Sequence, residues 1–234
     1  MTAELVKRFG LDDLAAARLD RLVGLISADP HAPTTVRDPQ RVIDDHLADS
    51  LVALSLPCVA GATAIADIGA GAGLPGLPLA IALQGAQVTL VEGNGRKCEY
   101  IEGTARALGL ENVSIVHARA ESWPEGIGRH DLVTARALAP LDVVAEYAAP
   151  LLRIGGSLVA WRGKRDFGAE AAAARAAKVL GLEVSEPIQV HPYSHAENRY
   201  LHVMSKTAET PDLFPRRPGM ARKRPLGVDP GRDR

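Results

Sequence analysis

The chain of 234 residues is 47% hydrophobic and 24% charged, the proportions of a soluble globule large enough for one α/β domain with a small extension. Aromatic residues make up 4%, which excludes a platform of several stacking rings, and the two cysteines, Cys58 and Cys98, form neither a disulfide framework nor a metal-binding spacing. The net charge of −1 is unevenly spread: residues 207–234 carry seven Lys or Arg against four Asp or Glu, a local +3 that leaves −4 on residues 1–206. The N-terminus lacks the apolar stretch of a signal peptide, and no run approaches the roughly 20 apolar residues of a membrane span, so a cytoplasmic protein without membrane contact is expected.

From the N-terminus, apolar residues recur at Leu11, Leu14, Ala15, Leu19, Leu22 and Ile26, a helical stripe with Asp12 and Asp13 in its first turn. The polar stretch Asp29-Pro-His-Ala-Pro-Thr-Thr35 ends it. Asp38-Pro39 reads as an N-cap followed by a first-turn proline, opening a second helix with Ile43, Leu47, Leu51 and Leu54 inward. The cluster Asp44, Asp45, His46 and Asp49 reads as a solvated helix face. Residues 1–60 are expected to form a helical cap on the rest of the chain.

From residue 64, short β-type runs alternate with helical stretches. The runs are Ala64–Ile68, Gln87–Glu92, Val113–His117, Asp131–Ala135, Ser157–Trp161, Leu182–Val190 and Tyr200–Ser205, and helices are expected at Lys97–Leu108, Val143–Leu152 and Gly168–Leu180. This alternation implies an α/β fold, with a mostly parallel seven-stranded sheet and helices on both faces. No helical stretch separates the last two runs, so they are expected to pair antiparallel at one edge. Five prolines after Ser205 predict an irregular tail. Within it, Leu213–Gly227 holds Arg216, Arg217, Arg222, Lys223 and Arg224 and no acidic residue, a candidate polyanion contact.

The segment Asp67-Ile-Gly-Ala-Gly-Ala-Gly-Leu-Pro-Gly76 has the strand-then-glycines order of a nucleotide-binding turn, where glycine lets the backbone approach a ligand closely. Gly71-Ala-Gly73-Leu-Pro-Gly76 formally satisfies the dinucleotide pattern G-x-G-x-x-G. Asp67 separates the ligand classes: a carboxylate repels a pyrophosphate but attracts the ammonium and sulfonium of S-adenosylmethionine. Glu92, at the end of the second strand, suits a carboxylate bonded to ribose hydroxyls. Asp67, Gly71, Gly73 and Glu92 are therefore candidate cofactor contacts. Glu121, after the third strand, falls where an adenine ring would lie. Arg136 leaves the fourth strand beside the transferable methyl; it is the candidate catalytic residue and reads equally well as an ordinary salt bridge.

The acceptor is narrowed by chemistry that is missing. Amino-nitrogen methylation of bases commonly uses a Pro-Pro-aromatic segment after strand four, where this chain reads Thr134-Ala-Arg-Ala-Leu-Ala-Pro140. Cytosine-carbon methylation needs a cysteine nucleophile there, and Cys58 and Cys98 read as core residues. A ring nitrogen with a free lone pair needs no deprotonation, which agrees with N7 of guanine. His191 and His195 are four apart, but Pro192 opposes the helix that would align them, so no metal is expected.

The chain resembles the RsmG (GidB) family of bacterial small-subunit ribosomal RNA guanine-N7 methyltransferases. The resemblance runs from Pro39 to Leu226. It is carried by His46-Leu-Ala-Asp-Ser-Leu51, Gly73-Leu-Pro-Gly-Leu-Pro78, Glu92-Gly-Asn-Gly-Arg-Lys97, Arg119-Ala-Glu121, Thr134-Ala-Arg-Ala137, Gly155–Gly163 and a tail with Phe214-Pro-Arg-Arg-Pro-Gly219. It implies a class I Rossmann-like methyltransferase fold and S-adenosylmethionine as cofactor. It also implies N7-methylation of a guanine in 16S ribosomal RNA, within or near the assembled small subunit. The family's cofactor contacts fall on Gly69, Leu74, Ala120, Glu121 and Arg136. Its basic residue after the fifth strand corresponds to Arg162, which with Lys164 and Arg165 is expected to meet RNA phosphate. On this reading residues 61–206 form the cofactor-binding domain, residues 207–234 are a basic proline-rich tail, and the protein is a monomer.

The chain departs from the family pattern at Asp45, where the family has arginine, and at Ala32-Pro-Thr-Thr-Val36, where it has Asn-Leu-Thr. Three other readings remain open: a class I methyltransferase for a small molecule or protein, a nicotinamide-dependent reductase, which Asp67 opposes, and a non-catalytic ribosome-binding module.

Overall fold

The structure, a computed structural model, describes residues 1–227; residues 228–234, the end of the expected tail, lie outside the described residues. Its strands are β1 (Ala64–Ile68), β2 (Gln87–Glu92), β3 (Val113–His117), β4 (His130–Arg136), β5 (Leu152–Arg162), β6 (Leu182–Val184), β7 (Ile188–Gln189) and β8 (Tyr200–Lys206). They form one sheet in the order β3-β2-β1-β4-β5-β8-β6, with β7 also on β8. The first five strands are parallel, and β8 is antiparallel to β5, β6 and β7. The expected run Leu182–Val190 is thus two strands, parted at Ser185–Pro187, because Pro187 has no N–H for the ladder. The chain leaves β1 toward β2 on one side and returns to β4 on the other. That reversal opens a crevice at the carboxyl ends of β1 and β4, where ligands bind in open α/β sheets.

The helices are α1 (Ala3–Phe9), α2 (Asp13–Ala28), α3 (Pro39–Val42), α4 (Asp49–Leu51), α5 (Pro57–Ala60), α6 (Gly76–Ala82), α7 (Gly95–Leu108), α8 (Leu141–Ala148), α9 (Phe167–Leu180) and α10 (Met220–Lys223). Asp12 lies before the first turn of α2 and caps it, accepting from Ala15 N at 2.7 Å; Asp38 caps α3 in the same way from Arg41 N at 2.9 Å. Leu152, expected to end a helix, instead starts β5. α6 follows the glycine loop, and Pro75, Gly76 and Pro78 fall at its start. Proline is harmless there, because the first turn of a helix has no intrahelical N–H bonds to lose.

The second predicted helix is not one regular helix. α3 runs into a π-helical segment (Ile43–Ala48), then α4, then a 3-10 turn (Val52–Ser55). The wider π turn rotates the following residues. His46 and Asp49 are therefore buried, while Asp44 and Asp45 of the expected solvated face stay half-buried.

One core joins α2, the π segment, α6 and α7 to the sheet through Leu19, Leu22, Leu47, Leu79, Ile101, Ile65 and Val159. Each such large apolar side chain contributes about 1.5–3 kcal/mol by leaving water. Residues 1–60 thus form a layer on the sheet, sharing its core. On the opposite face α8 and α9 cover Ala66, Val133, Leu158 and Ala160. The tail closes that side, with Phe214 and Ala221 buried. Arg216 is ion-paired to Glu146, their side chains 18% and 3% exposed.

Candidate active site

Asp67 sits on β1 on the same face as Ile65, beneath α6, and is fully buried. Its Oδ2 accepts from Gly76 N and its Oδ1 from Thr134 Oγ1, both at 2.9 Å. Burial pushes its carboxyl up to about 7, against the pull of the bonds from Thr134 and Gly76. Asp67 therefore braces the start of α6 against β4, and its side chain does not line the cleft, where sequence reasoning placed it. Gly76 has to be glycine: a Cβ would sit 2.8 Å from Asp67 Oδ2 and run into Leu90.

The glycine loop turns through positive φ at Gly69, Gly71 and Gly73 (68°, 62° and 82°). The N–H groups of Gly69 and Ala70 both reach Val91 O, fastening the loop to β2. A Cβ at Gly69 would collide with Leu138, so glycine keeps the cleft floor low. The cleft encloses about 480 Å3 and brings Gly69, Glu92, Ala120 and Glu121 together with Lys97, Leu138 and Tyr147. Gly71, Gly73 and Leu74 shape the loop without lining the cleft. Glu92 Oε2 accepts from Gly71 N at 3.0 Å and Oε1 from Asn94 N at 2.9 Å, so one buried carboxylate aligns the loops after β1 and β2. Its remaining lone pairs suit two ribose hydroxyls. Glu121 Oε1 accepts from Gly219 N at 3.1 Å, and Arg222 donates to Leu138 O at 2.8 Å. The tail thus supplies part of the cleft wall, which sequence reasoning did not foresee.

Arg136 lines a second cavity of about 380 Å3 that shares Ala137 with the first. Its guanidinium donates to Asp49 Oδ2 at 3.0 Å and to Asp45 O at 3.1 Å. Trp161 Nε1 donates to Asp49 O at 2.7 Å, and Arg199 Nε lies 3.3 Å from Asp49 Oδ1. Asp45 accepts from Tyr193 Oη at 2.8 Å and pairs with Arg41. Burial raises the carboxyl of Asp49, opposed by Arg136 and Arg199. Burial and the Arg136 charge push the imidazole of His46 down to about 4, so it is neutral at pH 7 and meets Thr34 Oγ1 at 2.8 Å. Sequence spacing does not bring this group together, since its members come from the π segment, α4, β4, β5 and the residues before β8.

The basic residues expected at RNA divide. Arg162, half-buried in the wall of the second cavity, donates to Ala139 O at 2.9 Å, and Lys164 is exposed nearby. Arg165 is engaged by Glu170 and lies 5.0 Å over the Phe167 ring. Arg216 is held by Glu146. Arg217, Arg222, Lys223 and Arg224 are exposed.

A family model described as rRNA small subunit methyltransferase G matches residues 29–197. A relative from Chloroflexus aggregans, named ribosomal RNA small subunit methyltransferase G, is 42% identical over 198 residues, covering 82% of each chain. One of the same name from Rubrobacter xylanophilus is 38% identical over 196 residues, covering 81% of this chain and 75% of its own. Among solved structures, a precorrin-6y C5,15-methyltransferase from Geobacter metallireducens superposes with a TM-score of 0.51 at 18% identity, covering 78% of this chain and 98% of its own. That likeness is one of fold, a class I methyltransferase sheet. With the glycine loop, the buried Glu92 and the cleft at the β1–β4 reversal, the match over residues 29–197 makes this chain a member of the rRNA small subunit methyltransferase G family.

Proposed function

We propose that the chain transfers a methyl group from S-adenosylmethionine to N7 of a guanine in small-subunit ribosomal RNA. The observation that carries the reading is the pair of cavities meeting at Ala137, one built on Glu92 and the other walled by Arg136, Asp49 and Trp161. The relatives' printed names supply the substrate class.

The first cavity fits the cofactor. Glu92 would hold the ribose hydroxyls, Ala120 and Glu121 would border the adenine, and Gly69 leaves room for the chain of the amino acid. Bound there, S-adenosylmethionine supplies an electrophilic methyl group. Guanine N7 carries its lone pair in the ring plane and has no proton to lose, so the protein's task is alignment and exclusion of water. Arg136, fixed by Asp49 and Asp45, forms a rigid wall beside that line. Arg162, Lys164, Arg217, Lys223 and Arg224 would meet RNA phosphates around both openings, while Arg216 anchors the tail. The protein works on the small subunit in the cytoplasm as a monomer; no described helix is long and apolar enough to cross a membrane.

The test is transfer of labelled methyl from S-adenosylmethionine to small subunits from a strain lacking the gene, with the modified nucleotide mapped. A single 7-methylguanine in the small-subunit RNA is expected. No transfer to RNA, with transfer to a protein or small molecule, would overturn the reading.

A further inference from the structure

Asp49 differs from the other buried acids that organise this site. Asp67, Glu92 and Glu146 each have both carboxylate oxygens engaged by hydrogen-bond donors. Asp49 has one: Oδ2 takes Arg136, while Oδ1 is buried and accepts no hydrogen bond. The side chain is 8% exposed and stands in the wall of the second cavity. Arg199 Nε lies 3.3 Å from Oδ1 as an ion-pair neighbour; its side chain is 37% exposed and also donates to Tyr193 Oη. A buried carboxylate oxygen without a hydrogen-bond donor is costly, and this one belongs to a residue that lines an open cavity.

The chemistry of the missing partner is narrow. A carboxylate only accepts, so its partner must present N–H groups. Guanine offers two parallel donors on one edge, N1–H and N2–H. Adenine and cytosine place an unprotonated ring nitrogen there, and uracil flanks its single N–H with two carbonyls, all of which a carboxylate repels. A phosphate is repelled for the same reason. A metal ion is opposed by Arg136 and Arg199, each beside one oxygen of Asp49. Guanine N7 lies on a different edge of the ring system from N1 and N2, and Ala137, where this cavity meets the cofactor cleft, lines the same cavity as Asp49.

We propose that Asp49 selects the target base, accepting N1–H and N2–H from the Watson–Crick edge of a guanine once Arg199 has left Oδ1, so that N7 faces the cofactor cleft. The π segment comes just before Asp49, which is buried and whose carbonyl accepts from Trp161 Nε1. This inference rests on the guanine-N7 reading.

The test uses the full chain and small subunits reconstituted with RNA carrying guanine, inosine or 1-methylguanine at the mapped nucleotide. Inosine lacks the 2-amino group, and 1-methylguanine has lost the N1–H. The wild type should prefer guanine over inosine by roughly tenfold or more in kcat/KM and leave 1-methylguanine unmodified. Asp49→Asn should lower transfer to guanine by roughly thirtyfold and bring the guanine-to-inosine preference below about threefold, while binding S-adenosylmethionine as the wild type does. A wild type that takes inosine as readily as guanine, or an Asp49→Asn protein that keeps the wild-type preference, overturns the proposal while guanine-N7 transfer still stands. A wild type that methylates no guanine N7 in the subunit overturns both together. Should Asp49→Asn fail to fold, the wild-type comparison of the three bases decides alone.

Discussion

Replacing Asp67 by asparagine removes the charge of a fully buried side chain while keeping its shape. Burial lifts this carboxyl from 3.8 to about 7, so the folded protein holds a proton that the unfolded chain releases throughout that interval. The folded state therefore binds more protons there, and stability falls as pH rises through the interval, by about 4 kcal/mol in all. Asparagine mimics the protonated acid: its Oδ1 can accept from Gly76 N and its Nδ2 can donate to Thr134 Oγ1, the two partners Asp67 has now. Between pH 5 and pH 8 the difference in unfolding free energy should shift toward Asp67→Asn by about 3 kcal/mol. Urea unfolding of both proteins at the two pH values measures this, and taking the difference cancels every other titrating group. A difference constant with pH, or one moving toward aspartate, would refute the reasoning. A cofactor measurement sharpens it: Asp67→Asn should leave S-adenosylmethionine affinity within about threefold, whereas Glu92→Gln should weaken it by about tenfold. Equal losses would restore Asp67 to direct contact with the cofactor's charge.

Arg216→Ala strands the buried Glu146 carboxylate and should cost about 3–5 kcal/mol in urea unfolding, much of it regained in the Glu146→Gln/Arg216→Met double variant. Gly76→Ala forces a Cβ against Asp67 Oδ2 and should destabilise by about 1–3 kcal/mol, seen as a lower Tm. His46, pushed down to about 4 from 6.5, contributes stability that is complete above pH 6.5 and lost as pH falls toward 4; His46→Gln should remove up to about 3 kcal/mol of that acid dependence in urea melts. Lys164→Ala and Arg217→Ala should each reduce the slope of log affinity for small-subunit RNA against log salt by about 0.7–0.9, and an unchanged slope would exclude that residue from phosphate contact.

Most strands are legible in the sequence because each carries apolar side chains on both faces, as β1 does with Ile65 on one side and Ala66 and Ile68 on the other. The glycine loop is legible because glycine's freedom at positive φ leaves a compositional mark. What misleads is the inference from a residue's place in the chain to its direction. Asp67 follows Ile65 on the same face of β1, so its side chain packs under α6 and does not line the first cavity; the two-residue alternation already contains that placement. The tail is misleading in another way. Its arginines look alike in sequence, but a buried acid seventy residues earlier claims Arg216, and only the fold brings Glu146 there.

The second cavity was least legible, for a geometric reason. A regular helix from Pro39 puts His46 and Asp49 on the outer face, and no residue in the segment announces that its turn will widen. The π segment reverses that placement, and alternation along β4 and β5 puts Arg136 and Trp161 on the same side of the sheet, with Val159 and the N-terminal helices. Arg136 is a salt-bridge residue that also lines the second cavity, because here the two are one arrangement. The bond to Asp49 holds the arginine in the wall, and using one oxygen of Asp49 for that bond leaves the other without a hydrogen-bond donor in a residue that lines the same cavity.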